Sequence, residues 1–408
     1  MSLFNNVLFG SKDIFGPSVP FTAIEKILKR PIVSPRFRIS VLNPDETIDY
    51  VIPNTDIPND GISYTENYQQ GQRKSMTLKL INTSGKYSLS INGIWLDAKF
   101  RLDMGVELET GEVVWFPKGV YIMGNSQAAA GNSDKTVTLT LKDKFAMFED
   151  KRGTLDAAYE IETDSTIEDA IGGILNFDRG NGYIFDYKDI IYDESFRGKK
   201  TQSTIRVEEG GNLGTLIKEL ATQLSAEYYY NNVGNLCFVP LNETINDGEK
   251  PVVWVFANNG RDLHNIELSY NNDEVINVVK VVGTNTTYGT YAAVVSNDNI
   301  TSPICVERIG RRVSKQESEN IWSNDLAEDL AKYYLRLASI LAVSFTMPTG
   351  FNPALSVNNI CEVENAFLGM EREKLLINSI TINSSDGTTS LSVANTSDLP
   401  NVRQKVGG

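Results

Sequence analysis

Apolar and polar residues alternate with a period of two in two stretches of the chain. Met76, Leu78 and Leu80 alternate with Ser75, Thr77 and Lys79, and Val137, Leu139 and Leu141 alternate with Thr136, Thr138, Thr140 and Lys142. That period sends successive side chains to opposite faces, the signature of a half-buried strand. Turn-forming residues separate the runs: Asn59-Asp60-Gly61, Ser84-Gly85, Asn92-Gly93, Thr110-Gly111 and Gly131-Asn132. Short strands at this spacing over residues 35–150 predict a small barrel or sandwich.

The period lengthens over residues 151–250. Ser165-Thr166-Ile167-Glu168 reads as a capping box, followed by an apolar stripe of Ile167, Ala170, Ile171, Ile174 and Leu175. Gly172 and Gly173 weaken that helix by about 1 kcal/mol each relative to Ala. A second helix starts near Asn212, with Leu213, Leu216, Ile217, Leu220 and Leu224 on one side. Tyr228-Tyr229-Tyr230, a turn at Asn231 to Asn235, and Leu236 to Val239 then predict a hairpin. Strands return over 251–400, interrupted by one long helix at about Glu317 to Leu341. Ile321, Leu326, Leu330, Tyr334, Leu337 and Leu341 line it, while Glu328, Asp329 and Lys332 face away. Before all of these, residues 1–34 form an N-terminal arm of net charge +2 with a short helix over Pro20 to Arg30, closed by Pro31 and Pro35. Residues 401–408 form a polar tail.

The two strand-rich regions echo each other. Ser133 to Asp143 and Ser385 to Asn395 are similar Ser/Thr-rich strands, each after an outward strand (Gly119 to Gly124, and Lys374 to Ile382). The fold expected is mixed and mainly β (α+β): two related small β-barrel domains at 35–150 and 251–400, with a helical and α/β module at 151–250 inserted between them.

Composition narrows the function. The 408 residues carry a net charge of −14, unsuited to wrapping nucleic acid, which needs Lys and Arg against phosphate. Residues 151–250 alone hold −8. The N-terminus lacks a secretory signal, and no apolar run reaches the roughly 20 residues that span a bilayer. One histidine, His264, and three scattered cysteines, Cys237, Cys305 and Cys361, argue against zinc sites, disulfide frameworks and a Ser-His-Asp hydrolase.

Other candidate chemistry is weak. Glu107 with Glu109 and Glu112, Asp193 with Glu194, Glu208 with Glu209, and Glu371 with Glu373 are adjacent carboxylates, but a glycosidase needs two across a cleft. Gly210-Gly211-Asn212 reads as a helix cap, since no Lys-Ser/Thr follows. Asp178-Arg179-Gly180-Asn181-Gly182 lacks the spacing of a calcium loop. Arg308, Arg311, Arg312 and Lys315 form a compact basic cluster that fits a salt-bridged helix start against Glu317 and Glu319. In a strand, Tyr229 points opposite to Tyr228 and Tyr230, so the three cannot stack on one ligand. No catalytic, cofactor or metal residue is assigned, and no cofactor is expected.

The order of elements resembles the baseplate hub and tail-hub proteins of tailed bacteriophages. The same architecture recurs in siphophage tail-associated proteins and type VI secretion spikes. The resemblance rests on Ser63 to Gly71, Leu80-Ile81-Asn82 followed by Gly85, Gly211 through Leu224, and Leu355 to Leu391. It implies a non-enzymatic virion component, assembled in the host cytoplasm. A homotrimeric ring would join the six-fold tail tube to a three-fold tip. Its channel would hold the tape-measure protein and pass DNA transiently, and its neighbours would be tube, distal tail, and spike or fibre proteins, with no membrane insertion. The alternatives are a cell-wall-binding or peptidoglycan-degrading tail-tip protein, and a distal tail or secretion-spike adaptor.

Overall fold

The alternating stripes at residues 74–81 and 135–143 do form strands, and they pair. In the computed structural model Met76 faces Leu141, Leu78 faces Leu139 and Leu80 faces Val137. The two apolar stripes therefore stack as cross-strand pairs on one buried face. The structure describes residues 21–30, 33–89, 93–130, 135–178, 180, 182–241, 250–257, 262–284, 289–365 and 370–400. The tail at 401–408 and the turn at Gly131-Asn132 lie outside them.

The first region supplies β1 (Pro35–Leu42), β2 (Ile48–Val51), β3 (Ile62–Asn67), β4 (Lys74–Ile81), β5 (Lys99–Glu107), β6 (Val113–Met123), β7 (Gln127–Ala130) and β8 (Lys135–Asp143). The middle adds β9 (Tyr159–Ile161), β10 (Ile191–Tyr192), β11 (Ile205–Val207), β12 (Ala226–Tyr230) and β13 (Leu236–Pro240). The last region adds β14 (Val252–Ala257), β15 (Glu267–Tyr270), β16 (Val278–Gly283), β17 (Ala292–Ser296), β18 (Val313–Ser318), β19 (Val343–Gly350), β20 (Ile360–Asn365), β21 (Met370–Asn383) and β22 (Thr388–Asn395).

The two expected barrels do not exist. Strands from both regions make one 14-stranded sheet with the main order β15-β19-β22-β21-β3-β4-β8-β6-β5-β1-β2. β3 pairs with β21, Asn67 opposite Ser379 through Ser63 opposite Asn383. Among the described residues β15 and β2 end the path and do not pair with each other, so the sheet stays open. Alternation fixes which face of a strand is buried, but not which strand lies beside it. One apolar cluster accordingly draws on both regions, with Leu78 and Leu139 beside Val363, Ile380 and Val393.

Helix α1 (Phe21–Leu28) buries Ile24, Ile27 and Leu28 against this cluster. After β8 come a single turn, α2 (Ala146–Glu149), and then α3 (Ile167–Leu175). The cap of α3 falls one residue later than the expected box: Thr166 Oγ1 accepts from the Asp169 N–H at 3.2 Å, while the Ser165 hydroxyl donates to the Glu162 carbonyl. Helix α4 (Leu213–Leu224) follows Asn212 as expected and leads into the β12–β13 hairpin.

A short turn, α5 (Val306–Ile309), precedes β18, and the long helix α6 spans Asn324–Ala342. It starts later than the sequence suggests, because Val313–Ser318 pairs in parallel with β16 and Ser323 provides the N-cap. Its faces also differ from expectation. Leu341 is exposed, whereas Lys332 is buried and reaches Glu328 at 2.8 Å. α6 packs on the small sheet β17-β16-β18 through Leu326, Ala327, Leu330 and Ala331.

Candidate functional site

Four of the adjacent carboxylates singled out in the sequence, Glu107, Glu109, Glu194 and Glu208, are engaged in ion pairs. Glu107 pairs with Arg36, whose Nε donates at 3.0 Å, and Glu109 pairs with Lys26 and Arg30 of the N-terminal segment. Glu194 meets Arg197, and Glu208 meets Arg206 at 2.8 Å. Asp193 caps Ser195 at 2.8 Å, while Glu112, Glu209 and Glu371 are exposed. Asn212 Oδ1 accepts from the Thr215 N–H at 3.0 Å, so it serves α4 as a cap. Asp178 Oδ1 accepts from the Gly180 N–H at 2.8 Å, an ordinary Asx turn.

Of the basic cluster, Arg308 lies on α5, Lys315 on β18, and Arg311 and Arg312 on the link between them. Arg308 donates to the Ile300 carbonyl at 3.0 Å, Arg312 to the Asn272 carbonyl at 2.7 Å, and Lys315 pairs with Glu317. His264 is exposed on the strand-like segment before β15. All three cysteines are buried. Burial pushes the Cys237 thiol up to about 11 and the Cys361 thiol up to about 12. Among the described residues no group of three or more His, Cys, Asp or Glu side chains is placed to hold a metal.

What the sequence did not reveal is a set of charges buried where the middle module meets the main sheet. Glu46, in a left-handed turn at φ 66°, accepts from Lys144 at 2.5 Å and Lys99 at 2.9 Å. Burial works against its carboxylate, but Lys144 and then Lys99 outweigh it and leave the pKa below the usual value. Lys144 also meets Asp186 at 2.5 Å, and the Tyr230 hydroxyl donates to the other Asp186 oxygen at 2.7 Å.

A second group sits beside it. Arg73 pairs with Glu227 and stacks 3.7 Å from the centre of the Tyr229 ring. Arg336, from α6, donates to the Tyr68 hydroxyl at 3.0 Å. Asp143 accepts backbone N–H groups from Arg73 at 2.6 Å, Lys74 at 2.8 Å and Phe145 at 3.1 Å. Burial nevertheless raises its pKa to about 6. Burial likewise lowers Lys118 to about 8, with its ammonium donating to the Leu355 carbonyl at 2.6 Å.

These partners come from the first region, the middle module and α6, so the charges lock three parts of the chain in register. Removing one member of such a pair leaves the other buried and uncompensated. No local signal could have exposed them: Arg336 and Tyr68 are 268 residues apart in sequence.

The sequence matches no protein family and no curated protein. The fold is more informative. A 43 kDa tail protein of prophage MuSo2 from Shewanella oneidensis superposes with a TM-score of 0.56 at 14% identity, over 90% of this chain and 100% of that one. The tail protein from Neisseria meningitidis MC58 gives 0.55 at 11% identity, over 90% and 99%. This is the fold of phage tail proteins. A chain of the lidless PdpA-VgrG complex shares it at a TM-score of 0.52 and 12% identity, over 93% of this chain and 68% of that one.

On this tail-protein fold two open grooves keep apolar side chains in water. The first lies between the main sheet and the middle module and is lined by Trp95, Tyr183 and Tyr187 with Lys99 and Arg152. The second, of 510 Å³, lies between the C-terminal half of α6 and the sheet of β16 and β18. Val275, Ile276, Tyr334, Ala338 and Leu341 line it, together with Asp273 and Glu274. Among the described residues no helix is long and apolar enough to cross a membrane.

Proposed function

We propose that the protein is a non-enzymatic structural component of a phage-like tail: a homotrimeric hub ring between the six-fold tube and a three-fold tip. The observation that carries this is the end-to-end likeness in fold to the Shewanella tail protein, which leaves no part of that chain unmatched. The channel would hold the tape-measure protein and let DNA pass. At −14 per chain, the trimer carries about −42, a field that discourages a polyanion from sticking.

Mass photometry of the purified chain tests the ring. The trimer predicts about 136 kDa, three times the 45.2 kDa chain, and negative-stain images should show a central hole. A hexamer would instead assign it to the distal tail. A second reading, a secretion-spike adaptor, is favoured by the likeness to the PdpA-VgrG chain. It predicts the same trimer, but a complex with spike components rather than with tube protein.

A further inference from the structure

We infer that residues 145–240 form one body that undocks from the main sheet as a unit, with the buried charges as its latch. The motion belongs to the single chain and holds whether or not a ring forms.

The middle module carries its own apolar core. Every buried member of that cluster lies between Phe145 and Phe238 except Ile122 of β6. The core of the main sheet takes no residue from this stretch. The β12–β13 hairpin shows how the boundary arises. Its period of two sends Tyr228, Tyr230, Leu236 and Phe238 into the module's core and leaves Glu227, Tyr229 and Cys237 on the opposite face.

That second face meets the sheet through polar groups. Arg73 pairs with Glu227 and stacks on Tyr229. Lys74 Nζ donates to the Tyr230 carbonyl at 3.1 Å, and the Gly71 N–H to the Tyr228 carbonyl at 2.9 Å. Lys144, held between Glu46 and Asp186, continues the seam. Toward α6 the contacts are polar as well: the Ser225 hydroxyl donates to Asp329 at 3.2 Å, and Trp322 Nε1 to the Gln223 carbonyl at 3.3 Å. The groove of Trp95, Tyr183 and Tyr187 leaves the margin of the seam open. Such a seam orients strongly and holds weakly. The desolvation of buried ions offsets most of their attraction. Polar boundaries between bodies permit relative motion that a shared apolar core forbids, and sub-global openings follow them.

The chain contains its own reporters. Cys237 lies on the seam face, close enough to Lys74 and Arg73 to feel their charge. Cys361 lies in the core of the main sheet, and both thiols are buried. The test labels the full chain with N-ethylmaleimide at a series of urea concentrations below the unfolding transition and locates the label by mass spectrometry. Cys237 should react well before Cys361, and its rate should depend less on urea, because undocking uncovers only the seam whereas Cys361 waits for the whole chain to unfold. Amide exchange in α3 and α4 should stay slow while Cys237 reacts. Lys144→Met leaves Asp186 and Glu46 under-compensated, so Cys237 should label on the order of 100-fold faster. Where that variant does not fold, Lys99→Met, which removes the other cation held by Glu46 at 2.9 Å, should act in the same direction.

One common rate and urea slope for both thiols would overturn the inference, since the seam would then open only with the whole chain. Exchange of the α3 and α4 amides in step with Cys237 would overturn it too, because the module would be melting in place. An unchanged Cys237 rate in a folded Lys144→Met protein would remove the latch.

Discussion

Asp143 shows how a single residue can be well bonded and still be strained electrostatically. Its two oxygens accept three backbone N–H groups, yet its pKa rises from 3.8 to about 6 because water is excluded. The folded chain therefore holds a proton there between pH 3.8 and about 6 that the unfolded chain has released. Stability from this group is least above pH 6 and grows as the pH falls through that window. Asp143→Asn stays neutral throughout. The wild type should gain on the order of 3 kcal/mol relative to this variant between pH 7 and pH 3.5. Urea midpoints of both proteins measured across that range check it, and parallel curves would refute it. Glu46, whose pKa is shifted the opposite way, is common to both proteins and drops out of the comparison.

At the scale of elements, legibility followed the reach of the signal. α4 was readable because its cap and its apolar stripe lie within 13 residues of one another, and the β12–β13 hairpin because its turn is local. Asn212→Ala should remove the acceptor for the Thr215 N–H and cost about 1 kcal/mol. The urea midpoint should fall with an unchanged slope. The start of α6 was misplaced because Glu317 is a common helix residue, while the strand that claims it, β16, lies more than thirty residues earlier. The barrels failed for a related reason. The strands at 74–81 and 135–143 could be argued from alternation, but one partner of β3 sits on the far side of the middle module. Neither open groove was foreseen, since each gathers side chains from separate segments.

At the scale of the molecule, the pairing of β3 with β21 makes the main sheet one body. Thr381 stands opposite Thr65 on one side and Ser390 on the other. Thr381→Pro must break a ladder on one of them, at a cost of at least about 3 kcal/mol. Hydrogen exchange should then show peptides from Lys74–Ile81 and Thr388–Asn395 losing protection together. Loss confined to the second would mean that the two regions are independent.

The same pairing sets an order of events during synthesis. Asn67 and Ser379, joined side chain to side chain, are 312 residues apart. At about 5–20 residues per second, a ribosome takes roughly 16–60 s to travel between them. For that time β3 has an uncovered flank ready to pair with any extended chain nearby. A nascent chain of this kind depends on being sheltered until its last strands emerge, so its yield in the host should respond to translation speed and chaperone supply before it responds to the stability of the finished protein.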